Sequence, residues 1–70
     1  MRNGWLVIDK QTGMLLCRFN QEELIEAVGE GHFTATQYGS AIVSLVTGED
    51  VECENAIMGD VILRPVSEGE

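Results

Sequence analysis

Two cysteines and one histidine are the side chains of this 70-residue chain that could support nucleophilic catalysis or bind a transition metal. Cys17 lies in an apolar, strand-like stretch, where burial raises the pKa of a thiol and makes it a poor nucleophile. His32 follows Gly31 at the predicted end of a helix, where it can cap backbone carbonyls. Neither Cys17 nor Cys53 has the spacing of a zinc site. We therefore predict reduced thiols, no catalytic residue, no metal ligand and no cofactor, and we do not expect an enzyme.

Carboxylates are the most abundant charged groups of the chain. Twelve Asp plus Glu against four Lys plus Arg give a net charge of −8. Between Arg18 and Arg64 the sequence contains no Lys or Arg. Nucleic acids and anionic membranes bind cationic surfaces, so direct binding to either is not expected. The charge favours a basic protein surface as partner, including one that handles nucleic acid.

Two groups of carboxylates are predicted to contact such a partner. Glu22, Glu26 and Glu30 recur every four residues, which places them on one helix face at a cost of about 0.2–0.5 kcal/mol per like-charged pair. The second group surrounds a turn and a strand, and its members are Glu49, Asp50, Glu52 and Glu54. It offers hard oxygen ligands but lacks the spacing of a calcium loop, so we do not assign a metal site. The simpler interpretation of both groups is solubility.

Period-two alternation and β-branched residues predict six strands, and one amphipathic segment predicts a helix. The order β-β-α-β-β-β-β is typical of an α+β fold with a small, mostly antiparallel sheet and one short helix packed on one face. A single domain of residues 1–70 is expected, with a frayed tail at 67–70. The predicted strands cover residues 5–9, 14–19, 32–38, 41–47, 51–55 and 61–66, and the helix lies between residues 20 and 29.

The predicted helix has signals at both ends. Asn20 is a good N-cap, and Glu23 three residues later completes a capping box. Leu24, Ile25 and Val28 supply its apolar side. The glycines that follow end the helix.

Two segments allow a second interpretation. Residues 41–47 (AIVSLVT) could form a helix that begins at Ser40, but their β-branched side chains favour a strand. Pro65 cannot donate a hydrogen bond within a sheet, so the last strand is expected to lie at a sheet edge or to end there.

Both faces of the first two strands are apolar. Alternation places on one face Trp5, Val7, Met14 and Leu16, and on the other Leu6, Ile8, Leu15, Cys17 and Phe19. Because a single helix covers one face, the later strands, a second copy or a partner must cover the other. The residues predicted for self-association are Trp5, Met14, Leu16 and Tyr38.

These patterns lead to two hypotheses about function. The first is a small acidic binding protein that docks a carboxylate-rich face onto the basic, nucleic-acid-binding site of a larger protein and inhibits it. In size, charge and architecture the chain is similar to bacteriophage accessory proteins that block host proteins, including anti-defence inhibitors. The alternative is an assembly subunit that acts through homo-oligomerisation of its exposed sheet face, with the acids conferring solubility.

Without an apolar run of about 20 residues or the layout of a signal peptide, a cytoplasmic location is expected.

Overall fold

The computed structural model describes residues 3–67. Residues 1, 2 and 68–70 lie outside the described residues, and with them all of the predicted C-terminal tail except Ser67. The elements, in chain order, are β1 Gly4–Asp9, β2 Leu15–Asn20, α1 Gln21–Gly29, β3 Phe33–Ala35, α2 Ala41–Thr47, β4 Val51–Asn55 and β5 Gly59–Val66.

The five strands of the described chain form one antiparallel sheet in the spatial order β2-β1-β5-β4-β3. Strand β5 occupies the centre, where it pairs with β1 on one side and β4 on the other. It thereby joins the β1–β2 hairpin to the β3–β4 pair. The predicted α+β class with an antiparallel sheet is confirmed, although residues 3–67 contain two helices where one was predicted.

Both helices cover the same face of the sheet. Helix α1 contacts β1, β2 and β3, and α2 contacts β3, β4 and β5. The core between the layers is mainly apolar, and Val7, Leu24, Val61 and Leu63 in it are each 0% exposed. Burying each such side chain stabilises the fold by about 1.5–3 kcal/mol.

Residues 41–47, predicted as a strand, form helix α2. The side chain of Ser40 caps its N-terminus by accepting a hydrogen bond from the backbone N–H of Val43. Gly48 ends the helix in the left-handed conformation at φ 72°. Ser44 faces the sheet and is buried. The prediction was wrong because two good caps and the burial of one helix face outweigh the strand preference of the β-branched residues.

A buried pair of hydrogen bonds fastens α2 to the sheet. The indole Nε1–H of Trp5 donates to Ser44 Oγ at 2.8 Å, and the Ser44 hydroxyl donates to the backbone carbonyl of Glu49 at 2.8 Å. Trp5 is 2% exposed and Ser44 is 0% exposed. A buried polar group without a partner costs about 1–3 kcal/mol, so the serine satisfies two groups that would otherwise destabilise the core.

Helix α1 begins as the sequence predicts. Asn20 Oδ1 accepts the backbone N–H of Glu23 at 2.8 Å, and Glu23 Oε1 accepts the backbone N–H of Asn20 at 2.9 Å. Gly31, just past the helix, takes φ 80°, the left-handed conformation in which glycine follows a helix C-terminus. The predicted capping box and helix end are confirmed.

The buried side of α1 differs in one residue from the prediction. Leu24 and Ala27 are buried and Val28 packs against the core. Ile25 is 52% exposed. The spacing i, i+3 and i+4 keeps side chains on one helix face, whereas the residue at i+1 is rotated away by about 100°.

The side chains of β2 divide between the two sheet faces differently from the prediction. Phe19 and Cys17 pair with the two buried residues of β1, so they point toward the core. A β-bulge then shifts the register, and Leu15 pairs with Ile8 on the opposite face. The prediction that Cys17 and Phe19 share a face with Leu6 and Ile8 was wrong, because the pairing of the strands decides which residues share a face and the bulge separates Leu15 from the other two.

Pro65 lies in the central strand and not at a sheet edge. Pairing between β5 and β4 ends at Leu63, so only β1 flanks the proline. The missing N–H therefore interrupts no pairing with β4. The strand itself ends one residue later, at Val66.

Substitution Ser44→Ala should lower the free energy of unfolding by about 1–3 kcal/mol, because it leaves the Trp5 N–H and the Glu49 carbonyl without partners in the core. Thr47→Ala is the matched control, since it removes an exposed hydroxyl that bonds the Val43 carbonyl on the same helix. It should cost clearly less. Urea unfolding followed by Trp5 fluorescence measures both, and equal losses would contradict the assigned role of Ser44.

Candidate functional site

The first acidic group lies on the outer surface of α1. Glu22, Glu26 and Glu30 are exposed, and they follow one another at about 6 Å intervals along the helix axis. The first turn of α1 contains two acids and its last turn contains no base. Glu30 Oε2 lies 3.4 Å from Nε2 of His32. We refer to α1, α2 and their outward side chains as the helix layer.

The outer surface of α2 is apolar. Ile42, Val43 and Val46 are 57%, 42% and 79% exposed, and Ile25 on α1 is 52% exposed. Because α1 and α2 contact each other, the helix layer presents carboxylates beside aliphatic side chains. Sequence reasoning missed this surface because it assigned residues 41–47 to a strand.

The second acidic group lies mostly on the other side of the sheet. Val51, Cys53 and Asn55 of β4 point into the core and are buried. Glu52 and Glu54 alternate with them and therefore point away from the helices. The structure does not bring the seven predicted carboxylates onto one surface.

Two members of the second group are ion-paired with cations of the same chain. Glu52 Oε2 lies 3.1 Å from Lys10 Nζ, and Asp50 Oδ2 lies 3.3 Å from Arg64 Nε. The hydrogen bond to Glu52 is the main cause of the raised pKa of Lys10. Glu49 is exposed between α2 and β4. The pairing makes this group less suited to a cationic partner than the carboxylates of α1.

The sheet face opposite the helices, which we call the open face, mixes apolar and charged side chains. Its outward residues alternate along each strand with the buried ones: Leu6, Ile8, Leu15, Arg18, Glu52, Glu54, Asp60, Ile62 and Arg64. Leu6, Ile8 and Ile62 at its centre are half-buried. Three cations belong to the described residues, and all lie on this side: Arg18, Arg64 and, through its contact with Glu52, Lys10.

The four residues predicted for self-association occupy different places. Trp5 is in the core and cannot reach another molecule in this fold, because α2 covers it. Met14 and Leu16 are 65% and 41% exposed at the sheet edge formed by β2. Tyr38 is 65% exposed, and its ring centroid lies 5.0 Å from Lys10 Nζ. Tyr38 also lines two shallow grooves of about 190 and 350 Å³.

An apolar pocket of about 270 Å³ opens between α1, β2, β3 and the β4–β5 turn. In its wall the rings of Phe19 and Phe33 meet edge to face with centroids 5.8 Å apart. Ile57 at the turn is 91% exposed. Asn55 Oδ1 fixes this turn by accepting the backbone N–H groups of Ile57 and Met58. The pocket can accommodate an apolar side chain. Sequence reasoning missed it because its wall comes from four separate segments.

Both cysteines are free. Cys53 is 1% exposed, and burial raises its pKa to about 11. Cys17 is half-buried with its Sγ 3.9 Å from Met58 Sδ, and burial raises its pKa as well. At neutral pH both groups are therefore neutral thiols, which are weak nucleophiles.

Within residues 3–67, no cluster of three or more His, Cys, Asp or Glu side chains is arranged to hold a metal ion. Neither helix in this part of the chain is long and apolar enough to cross a membrane.

Comparisons of the chain with protein-family models, with curated proteins and with solved structures find no match.

Iodoacetamide should alkylate Cys17 faster than Cys53 in the folded protein, because Cys53 is buried and its pKa is about 11. At about pH 8 only about a thousandth of such a thiol is ionised, and the Cys53 rate should rise about tenfold per pH unit as the pH increases toward the pKa. Timed quenching and peptide mass spectrometry measure both rates. In denaturant the two cysteines should react equally, and rapid modification of Cys53 in the folded protein at neutral pH would contradict its burial.

Proposed function

We propose that the chain is a non-enzymatic binding protein that docks its helix layer onto a basic surface of a larger protein. The observation that supports this proposal is the separation of charge across the sheet. The cations of the described residues, Lys10, Arg18 and Arg64, lie on the side of the open face. The helix layer carries the carboxylates of α1 and has no Lys or Arg among its described residues.

The helix layer combines two kinds of contact that a partner surface can match. The exposed aliphatic side chains Ile42, Val43 and Val46 supply apolar area whose burial drives association. The neighbouring carboxylates attract a cationic surface, which speeds encounter and sets orientation more than it adds affinity. The partner surface is therefore expected to be basic with an apolar centre.

A nucleic-acid-binding site is the basic surface that we favour. Glu22, Glu26 and Glu30 form a row of negative charges about 6 Å apart, and such a row resembles the repeated charges of a phosphate backbone. A groove lined with Lys and Arg for phosphates would accept this row in place of nucleic acid. The chain would then act as a competitive inhibitor, in the manner of bacteriophage accessory proteins of similar size and charge.

The double substitution Glu26→Lys/Glu30→Lys should abolish capture of basic, nucleic-acid-binding proteins from a nuclease-treated lysate. Lysines near the C-terminus of α1 complement the helix dipole, so the fold is expected to be retained. Glu54→Lys/Asp60→Lys is the matched control, because it changes the net charge equally on the open face and replaces one like-charged cross-strand pair by another. The control should capture the same proteins as the unmodified chain. Immobilised protein and quantitative mass spectrometry measure the capture.

Salt and a competing polyanion provide a second measurement. Capture should fall steeply as salt is raised, because salt screens the attraction between the carboxylates and the cationic site. Heparin should displace the captured proteins, because it competes with the chain for the same cationic site. Capture that is unchanged by the α1 substitutions, or that heparin leaves intact, would rule out the proposed mode of binding.

A further inference from the structure

We infer that the open face joins two copies of the chain in a face-to-face dimer with two-fold symmetry. The inference is separate from the proposed function, because the helix layer lies on the opposite side of the sheet. The first support for the dimer is the apolar centre of the open face. Leu6, Ile8 and Ile62 are half-buried, Leu15 is 59% exposed, and no helix of the described chain covers them.

The second support is the distribution of charge across the open face. In the spatial order of the strands, Arg18 on β2 lies on one side, whereas Lys10 at the end of β1 extends its ammonium group to Glu52. Asp50, Glu52 and Glu54 lie on the other side, on or next to β4. A two-fold interface needs a surface that is complementary to itself, and a face with an arginine at one edge and acids toward the other edge meets that requirement.

The pairing of the strands fixes where the two-fold axis must run. An axis parallel to the strands and between β1 and β5 places Ile8 of one copy over Ile62 of the second copy. Both isoleucines lie in the same row of the sheet, since Ile8 pairs with Ile62 within one chain. The same axis places Arg18 over Asp50 of the second copy, because Arg18 and Arg64 share a row through Leu6, and the carboxylate of Asp50 is ion-paired with Arg64.

Other two-fold axes bring like charges together. An axis parallel to the strands through β5 would place Arg64 over Arg64 and Asp60 over Asp60 of the second copy. An axis perpendicular to the strands through the row of Ile8 and Ile62 would place Glu52 over Glu52, since all three residues lie in one row. Like charges in direct opposition are unfavourable at an interface. The charge pattern therefore selects the axis between β1 and β5.

The ion pair between Asp50 and Arg64 does not oppose this arrangement. Asp50 and Arg64 are both about half exposed where they meet, and exposed ion pairs contribute little to stability. Their side chains can therefore turn to include Arg18 of the second copy. Packed sheets lie about 10 Å apart, a distance that the long side chains of arginine and lysine span.

Substitutions at Arg18 and Asp50 test the dimer without any partner protein. Arg18→Asp and Asp50→Arg should each shift the purified protein to monomer, with association at least about tenfold weaker, because each places like charges opposite one another twice. An equimolar mixture of the two variants should form a heterodimer, since both contacts are then between opposite charges. Sedimentation velocity and native mass spectrometry at low salt measure the species.

The heterodimer separates an intermolecular contact from an effect within the chain. Strands β2 and β4 are separated by β1 and β5, so Arg18 and Asp50 of one copy are about three strand spacings, or 14 Å, apart. Both residues are exposed, and circular dichroism checks that each variant keeps its fold. An unmodified chain that stays monomeric at high concentration overturns the inference. So does a dimer that survives both single substitutions, or a mixture that forms no heterodimer.

Discussion

The hydrogen bond from Trp5 to Ser44 is the contact on which the layered structure depends. Helix α2 has seven residues and is too short to persist without tertiary contacts. On its inner face Ser44 accepts a hydrogen bond from the indole N–H of Trp5, and the two residues are 39 positions apart in the chain. Trp5 is buried, and the hydroxyl of Ser44 on α2 satisfies both its indole N–H and the Glu49 carbonyl. Burial and hydrogen bonding are therefore coupled at one point.

The position of α2 decides what the molecule presents to its surroundings. Once Ser44 faces inward, the remaining positions of the helix turn Ile42, Val43 and Val46 outward beside the acids of α1. The cations meanwhile lie with the outward residues of the sheet, where Lys10 and Arg64 neutralise part of the second acidic group. A net charge of −8 is thus unevenly distributed: one side is acidic and apolar, and the other is mixed. The two sides differ enough in chemistry to serve different contacts.

Local signals in the sequence predicted the elements whose caps and periodicity agree. Short-range patterns predicted the capping box formed by Asn20 and Glu23, the alternation in β1 and β4, and the α+β class. Helix α2 was missed because β-branched propensity conflicted with its caps, although Ser40 and a glycine eight residues later marked both ends. The bulge in β2 could not be anticipated, since register depends on pairing between strands. The separation of the two acidic groups depends on which sheet face the helices cover, and that is decided by the whole core.

The central place of β5 has a consequence for how the chain acquires its structure. Among the described strands, β5 is made last, yet within the sheet it alone joins the β1–β2 hairpin to the β3–β4 pair. A two-stranded unit is marginal on its own, so neither half can hold its shape while the chain is still being synthesised. The polypeptide must instead remain unfolded, with its apolar segments accessible to chaperones and proteases, until the last strand is synthesised. The long-range strand pairings then form together. Nascent chains that stop before β5 would have no partial fold to protect them, so quality control would clear them.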